Sequence, residues 1–245
     1  MQEINLDESL NESIFALIYG ASGSGKTHLI GTLGELGTVL VIDVDKGSKT
    51  LASAKDLQAY RDNFTVVSFD KFKDLDDAYK HVKENNPAKW SKTLGIEITK
   101  PFDWIVWDTW SELQWHMLQE LRRTNSLTGT GLEFRKGMQI QHWGMMTDLN
   151  KLSIEAFRDC EVNIVLTMQE TMTKDELSGQ ITGGPAIHGK MVQEMPSYFD
   201  VVIRTYCDIQ GNYCATTKRK GNWPAKTRLK EGIEYKNPTA KQIFS

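Results

Sequence analysis

The segment from Gly20 to Thr27 constrains this chain more than any other stretch. It reads GASGSGKT and matches the pattern G-x-x-x-x-G-K-[ST], which defines a phosphate-binding P-loop. The preceding run, residues 14–19, is apolar and suits a buried strand, and residues 28–33 can begin a helix. The motif needs a strand before it and a helix after it, so both flanks support the assignment. We therefore predict a strand, loop and helix that bind nucleotide phosphates.

Each position of this loop has a predicted role in binding ATP and Mg²⁺. The glycines let the backbone turn tightly and point its N–H groups at phosphate oxygens, and the following helix adds the positive end of its dipole. Lys26 should reach the β- and γ-phosphates, and the Thr27 hydroxyl should bind Mg²⁺. The predicted nucleotide-binding residues are Gly20, Ala21, Ser22, Gly23, Ser24, Gly25, Lys26, Thr27 and His28. A chance glycine-rich turn before a helix is the alternative, and the two intact flanks argue against it.

The composition of the chain narrows its class. With 245 residues and 40% hydrophobic content, it can bury one large α/β core, which we place at residues 14–245 after a polar lead-in at residues 1–13. A net charge of −3 means that any nucleic-acid contact must come from local basic patches. The three cysteines show no metal-binding or disulfide spacing. Without an apolar membrane span or a secretion-signal pattern, we expect a cytoplasmic protein with no membrane partner.

A second landmark follows well after the loop, in the segment Phe102–Asp108, which reads FDWIVWD. Apolar residues that lead into an aspartate form the Walker B pattern, whose carboxylate holds Mg²⁺, often through water. Asp108 is therefore the predicted metal residue beside Thr27. The alternative is that Asp108 caps the next helix, and the two roles are compatible.

Other patterns predict an α/β chain. Apolar runs predict strands at residues 39–42, 64–69, 162–169 and 199–206, the last forming a hairpin with residues 212–217. Helical periodicity is present at residues 74–86 and 145–157, with Met146, Leu149, Leu152 and Ala156 on the buried face of the second helix. Residues 88–101 are polar and irregular, or a small hairpin. Two glycine-rich segments, residues 124–137 and 170–189, are predicted to be long loops, and such loops tend to be functional.

One dense basic run lies at residues 217–230, where six lysines and arginines surround Trp223. Basic residues interleaved with an aromatic ring can bind a phosphate backbone and stack a base. A solvated surface hairpin is the alternative, and composition alone favours it.

Together these features resemble the RecA core. More closely, they resemble short phage proteins known as phage nucleotide-binding or AAA-type ATP-binding proteins, core-only relatives of RecA and RadA associated with single-strand annealing and recombination. The resemblance runs from about Ile14 to Leu229 and rests on the order of the segments GASGSGKT, IDVDKG, WIVWDT, NIVLTMQ, GGPAIHGKMVQEMPSYFDVVIR and AKTR. It implies a three-layer α/β P-loop fold with a mostly parallel sheet and a C-terminal antiparallel hairpin. It also implies an extra strand between the P-loop strand and the Walker B strand.

The resemblance implies catalytic roles outside the P-loop. The family's catalytic base, usually a glutamate after the second strand, falls on Asp45, with Asp43 as a second candidate on the same side of the strand. An aspartate is shorter than a glutamate, so this departure affects the expected rate of hydrolysis more than nucleotide binding. Gln169 matches the family's sensor position, and a loop-capping amide is its alternative role. Lys226 and Arg228 match a motif whose basic side chains reach the γ-phosphate of a neighbouring subunit.

These correspondences imply a homo-oligomeric ring or filament with ATP between subunits. Single-stranded DNA would contact residues 124–137 and 171–189, a single-strand binding protein would be a further partner, and the bacterial host cytoplasm would be the location if the chain is phage-encoded. The leading hypothesis is an ATPase, stimulated by DNA, that pairs or anneals single strands. A nucleotide-gated DNA-binding module with little hydrolysis is one alternative, motivated by Asp45. A P-loop small-molecule kinase is another, although no arginine-rich lid segment is recognisable.

Overall fold

Parallel strands build the centre of the molecule. The computed structural model describes residues 13–72, 75–124, 140–174, 176, 179–189 and 191–245. The strands that pair in parallel are β1 (Phe15–Gly20), β2 (Val39–Asp43), β3 (Phe64–Ser68), β4 (Trp104–Asp108), β5 (Asn163–Lys174) and β7 (Val201–Cys207). The antiparallel strands are β6 (Ile181–Pro185), β8 (Tyr213–Thr216), β9 (Lys226–Thr227) and β10 (Glu234–Lys236).

Within the described residues these strands form one ten-stranded sheet. Its main path runs β10-β8-β7-β1-β5-β4-β2-β3, while β6 pairs with β5 and β9 pairs with β7. β5 therefore lies between the P-loop strand β1 and the Walker B strand β4, which confirms the predicted extra strand. β7 and β8 form the predicted antiparallel hairpin near the C-terminus.

Helices cover both faces of the sheet and complete three layers. The α-helices are α1 (Lys26–Gly31), α2 (Lys49–Ser53), α3 (Leu75–Glu84), α4 (Pro87–Leu94), α5 (Trp110–Thr124), α6 (Ile140–Arg158), α7 (Met191–Glu194) and α8 (Ala240–Phe244). Short 3₁₀ helices occur at Thr32–Glu35, Lys55–Asn63 and Met195–Tyr198. Alternation along the buried strand β1 sends Leu17 and Tyr19 into one core and Ala16 and Ile18 into the other. The predicted α/β P-loop fold is thus confirmed.

The segment after Pro87 differs from the prediction. The helical periodicity in the sequence stops at residue 86, yet Pro87 begins a further helix, α4, because proline fits the first turn of a helix. The Asn86 side chain caps this helix by accepting hydrogen bonds from the backbone N–H groups of Ala88 and Lys89, at 3.0 and 3.2 Å. Gly95, in the left-handed conformation, follows its last residue. Residues 88–101 are therefore largely helical at their start, and the irregular or hairpin interpretation was wrong for that part.

The segment 170–189 also differs from the predicted loop. β5 continues to Lys174, and its outer half pairs with β6 in the register Glu170↔Pro185 to Lys174↔Ile181. Residues 171–174 and 181–185 therefore form a β-hairpin. The first predicted DNA-binding loop, residues 124–137, lies outside the described residues apart from Thr124, and the predicted lead-in, residues 1–13, lies outside them apart from Ser13.

The buried face of α6 was predicted only in part. Met146 is buried as expected, whereas Leu152 is 64% exposed. The buried stripe includes His142 and Asn150, which a hydrophobic pattern cannot identify. The Asn150 side chain accepts a hydrogen bond from the Trp110 indole at 3.1 Å, which explains an amide in this core. In the described part of the chain no helix is both long and apolar enough to cross a membrane.

Candidate nucleotide-binding site

The backbone of the P-loop requires its glycines. β1 ends at Gly20 and α1 begins at Lys26, which confirms the predicted strand, loop and helix. Gly23 and Gly25 have φ values of 75° and 90°, which residues with a Cβ adopt only at a cost. A Cβ on Gly20 would lie 2.3 Å from the Thr205 Oγ1 of β7. The loop is also tied to β7 by a 2.7 Å hydrogen bond between the hydroxyls of Ser24 and Thr205.

The Lys26 side chain is folded inside this loop. It is only 6% exposed, and its Nζ donates to the carbonyl oxygens of Gly20 and Ala21, both at 2.9 Å. Nζ also lies 3.3 Å from Gln169 Oε1. Burial lowers the pKa of Lys26, while the negative charge of Asp108 opposes this shift. Its present acceptors are neutral, so anionic phosphate oxygens would be stronger partners for the ammonium group.

Asp108 and Thr27 lie together, as the two motifs predict. Asp108 is 3% exposed, and its Oδ2 accepts a hydrogen bond from the Thr27 hydroxyl at 3.2 Å. Its Oδ1 accepts one from the Thr167 hydroxyl at 2.5 Å. Burial raises the pKa of Asp108, and the hydrogen bonds from Thr167 and Thr27 oppose this shift. The cap of α5 is instead Thr109, whose Oγ1 accepts from the Glu112 N–H at 3.2 Å, so the capping role considered for Asp108 is not observed.

This pair of oxygen ligands fits Mg²⁺. One hydroxyl and one carboxylate meet beside Lys26, and a protein site for Mg²⁺ typically supplies one or two such groups while waters and substrate phosphates supply the rest. In the part of the chain that the structure describes, no cluster of three or more histidine, cysteine or acidic side chains could hold a metal ion.

The structure separates the two candidates for the catalytic base. Both carboxylate oxygens of Asp43 accept backbone hydrogen bonds, from Gly47 at 3.0 Å and Ser48 at 3.1 Å, so this residue stabilises the turn after β2. Asp45 is exposed and accepts a hydrogen bond from Gly47 N–H at 2.9 Å. Partial desolvation, together with the charges of Asp108 and Asp43, raises the pKa of Asp45 to about 6. A carboxylate that titrates near neutrality suits a general base.

Gln169 joins the P-loop to the β5–β6 hairpin. It lies beside Gly20 in the sheet, and its side chain contacts Lys26 rather than a loop backbone. Its backbone N–H donates to Ser111 Oγ at 3.0 Å, and its carbonyl oxygen accepts from Ala186 N–H at 2.7 Å. The contact with Lys26 is compatible with the predicted sensor position, and that role stays a prediction.

A buried ion pair follows directly after Gln169. Glu170 Oε2 lies 2.7 Å from Arg204 Nε, and both side chains are largely buried. The Arg204 guanidinium lies 3.6 Å from the centre of the Trp223 ring, and that ring packs against Gly183 of β6. Trp223 is thus engaged within the protein, which supports the surface-hairpin interpretation over base stacking by this ring.

Lys226 and Arg228 lie away from the P-loop of their own chain. Lys226 of β9 pairs with Val202, which is level with Leu17 of β1, roughly 10 Å before the end of that strand at Gly20. The Lys226 Nζ donates to the Ser197 carbonyl oxygen at 3.4 Å, and Arg228 forms an exposed ion pair at 2.9 Å with Asp200. This position is compatible with action on a neighbouring subunit, and that role stays a prediction.

Sequence reasoning missed an aromatic side chain beside the loop. The Tyr213 ring stacks on the His28 ring at 5.7 Å, and it would contact a Cβ on Gly25 at 2.9 Å. His28 is held by Asp56 at 2.7 Å, and Tyr213 is 40% exposed. An exposed ring next to a P-loop can stack a nucleobase. An isolated tyrosine in a distant strand gives no sequence signal for this position.

The sequence and fold of this chain were compared with those of known proteins. A search of curated proteins finds no match. Among solved structures, one described as the crystal structure of the RadB recombinase is similar, with 14% sequence identity, coverage of 94% of this chain and 91% of that chain, and a TM-score of 0.48. The model of a protein family described as an AAA domain matches residues 12–229.

Proposed function

We propose that this chain is an ATPase that acts on single-stranded DNA in recombination or strand annealing. The chain belongs to the AAA domain family, whose model matches most of its length. The observation that carries the ATPase part is the convergence of Lys26, Thr27 and Asp108 at the end of β1, with Asp45 nearby. P-loop enzymes use these groups in phosphoryl transfer, where catalysis is mainly positioning and charge stabilisation. The DNA part rests on the resemblance in sequence and on the hairpin that Gln169 joins to the loop.

Nucleotide binding would use the loop as it stands. Backbone N–H groups between Ala21 and Lys26 would surround the phosphates, and Lys26 would exchange its carbonyl partners for phosphate oxygens. Thr27 and Asp108 would hold Mg²⁺, which supplies positive charge to the β- and γ-phosphates when it is bound. The nucleobase of the bound nucleotide would lie against the rings of Tyr213 and His28.

Hydrolysis would depend on Asp45 and on a second subunit. The Asp45 carboxylate would orient a water and accept its proton, which requires the ionised form of the side chain. Lys226 and Arg228 of a neighbouring copy would stabilise charge on the γ-phosphate, as arginine fingers do. This arrangement places ATP between subunits of a ring or filament.

DNA binding would use the β5–β6 hairpin together with residues 124–137. Thr171, Thr173 and Lys174 lie on the outer half of β5 and are at least partly exposed. Hydroxyl and ammonium groups of this kind bind phosphates without reading bases, so affinity should fall as salt rises. Glu170, Arg204 and Trp223 would carry the state of the nucleotide site to the hairpin through their mutual contacts.

Steady-state ATP hydrolysis with and without single-stranded DNA, at low and physiological salt, tests the proposal. We expect DNA to stimulate hydrolysis and Lys26→Ala to abolish it, while Lys92→Ala, a change at an exposed lysine of α4, leaves it unchanged. ATP-dependent DNA binding without turnover would favour the nucleotide-gated module instead. Full activity of Lys26→Ala would refute the P-loop assignment, and the absence of both turnover and DNA binding would refute the DNA-related function.

A further inference from the structure

Thr167 is a buried polar residue of β5 that the proposed chemistry leaves without a role. It has 0% exposure, and it lies two positions before Gln169 in the strand next to β4. Its Oγ1 lies 2.5 Å from Asp108 Oδ1 and 3.4 Å from the Trp107 carbonyl oxygen. We propose that Thr167 is a positioning residue, whose hydroxyl holds one oxygen of Asp108 so that the other faces Thr27 and Mg²⁺. The proposal rests on the role of Asp108 given above.

The direction of this hydrogen bond follows from the partners. An ionised carboxylate and a backbone carbonyl only accept hydrogen bonds, so the single Thr167 hydroxyl proton goes to one of them. The Asp108 oxygen is nearer by 0.9 Å, the difference between 3.4 and 2.5 Å. Bonds to charged acceptors are also the stronger ones. Asp108 Oδ1 therefore takes the Thr167 proton, and Oδ2 is left on the side of the P-loop.

Because Asp108 is buried, loss of the Thr167 hydroxyl should affect its carboxylate strongly. Asp108 is 3% exposed, so water cannot easily replace a lost donor. Without Thr167, Thr27 would be the one side-chain donor to this carboxylate among the described residues, and the carboxylate could rotate toward that hydroxyl and away from the metal position. Partners of this kind typically change metal affinity or activity by roughly 10- to 100-fold when they are removed.

Burying a threonine in this strand costs more free energy than burying an apolar residue, unless the threonine hydroxyl forms a hydrogen bond. Its neighbours along β5, Val165 and Leu166, are fully buried and apolar. Valine would fill the same volume and has the same β-branched shape. The polar atom at position 167 is thus explained by its bond to Asp108 rather than by packing.

Two matched variants separate the hydroxyl from the shape of the side chain. Thr167→Val keeps the shape and removes the donor, whereas Thr167→Ser keeps the donor and removes a methyl group. Binding of a fluorescent ATP analogue would be measured first in EDTA, and Mg²⁺ would then be titrated into the nucleotide-saturated protein. We expect Thr167→Val to weaken Mg²⁺ binding roughly 10- to 100-fold, with nucleotide affinity in EDTA unchanged, and Thr167→Ser to behave as the native chain.

Several outcomes would overturn the proposal. Native Mg²⁺ affinity in Thr167→Val would do so, as would a serine variant as weak as the valine variant, because the methyl group would then matter and not the hydroxyl. If Thr167→Val also loses nucleotide affinity in EDTA, the two variants are compared in an Asp108→Ala background, where a further effect of Thr167→Val on Mg²⁺ binding would contradict a role through Asp108. Unchanged Mg²⁺ binding in Asp108→Ala alone would instead remove the proposed metal role of Asp108.

Discussion

Replacing Asp45 by asparagine should separate the electrostatic role of this residue from its catalytic role. The change keeps the acceptor for the Gly47 N–H and removes the charge. In the native chain, partial desolvation and then the negative charges of Asp108, Asp43 and Glu112 raise the pKa of Asp45 to about 6. We expect the variant to be more stable than the native chain at neutral pH and to hydrolyse ATP far more slowly.

The magnitude follows from the two pKa values. A rise in the pKa from 3.8 to about 6 would lower the free energy of unfolding at neutral pH by about 3 kcal/mol if the carboxylate were fully desolvated. Because Asp45 is exposed, solvent screening reduces this to roughly 1 kcal/mol. Between about pH 4 and pH 6 the folded chain holds the proton more tightly than the unfolded chain, so native stability falls as pH rises through this window. The advantage of Asp45→Asn should therefore be complete above about pH 6 and absent below about pH 4.

Chemical denaturation without nucleotide, at several pH values, measures this difference. Asp62→Asn, an exposed change on the 3₁₀ helix before β3, removes a charge away from the site and is the control. Equal stability of Asp45→Asn and the native chain at pH 7.5 would refute the electrostatic reasoning. In turnover assays, loss of a general base typically costs 10²- to 10⁴-fold in rate. An unchanged rate in the variant would exclude Asp45 as the base.

Three further perturbations test other parts of the site. Arg228→Ala should lower the rate of hydrolysis and leave nucleotide affinity nearly intact, because its own P-loop lies at the other end of β1; rate and binding assays check this. Tyr213→Ala should weaken nucleotide binding by roughly 1–3 kcal/mol through lost stacking, measured by titration. Gly183→Ala should destabilise the chain by roughly 1–3 kcal/mol, since its Cβ would lie 1.8 Å from the Trp223 ring, and denaturation would show it.

Each of these changes has a matched control. Arg219→Ala alters another arginine of the same basic run and should leave the rate unchanged, and equal losses in both variants would argue against a specific role for Arg228. Tyr213→Phe keeps the ring and should bind nucleotide normally; if it fails, the hydroxyl matters rather than stacking. Gly144→Ala adds a Cβ in open space on α6 and should be neutral or stabilising, so a loss as large as that of Gly183→Ala would contradict the packing argument.

The parts of the fold that depend on local chemistry were predictable from the sequence. The P-loop needs a turn that glycines allow and a lysine that follows it, so eight consecutive residues predict the local structure and the proposed role. The buried strands β2 and β4 appear as apolar runs that end in acidic residues. Because the carboxyl ends of parallel strands meet at one edge of a sheet, Asp43 and Asp108 could be expected beside the loop, and they are paired in register.

Features that depend on distant partners were not predictable in the same way. The outer half of β5 is polar and largely exposed, so no hydrophobic pattern indicates that it pairs with β6. Likewise, Pro87 ends one helix pattern and begins another, and the decisive signal is the Asn86 cap. Short polar stretches of this kind take their structure from pairing and capping rather than from burial.

The residues of the site also divide into those that the sequence predicts and those that it does not. Lys26, Thr27 and Asp108 meet because β1 and β4, on either side of β5, end at the same edge of the sheet. Thr167 and Tyr213 reach the site from strands on either side of β1, and a threonine or tyrosine in a strand is ordinarily a packing residue. Only the hydroxyl bond to Asp108 and the ring contact with His28 distinguish them. A sequence motif therefore identifies the groups that would contact phosphate and metal, whereas the groups that orient Asp108 or meet the base emerge from the tertiary structure.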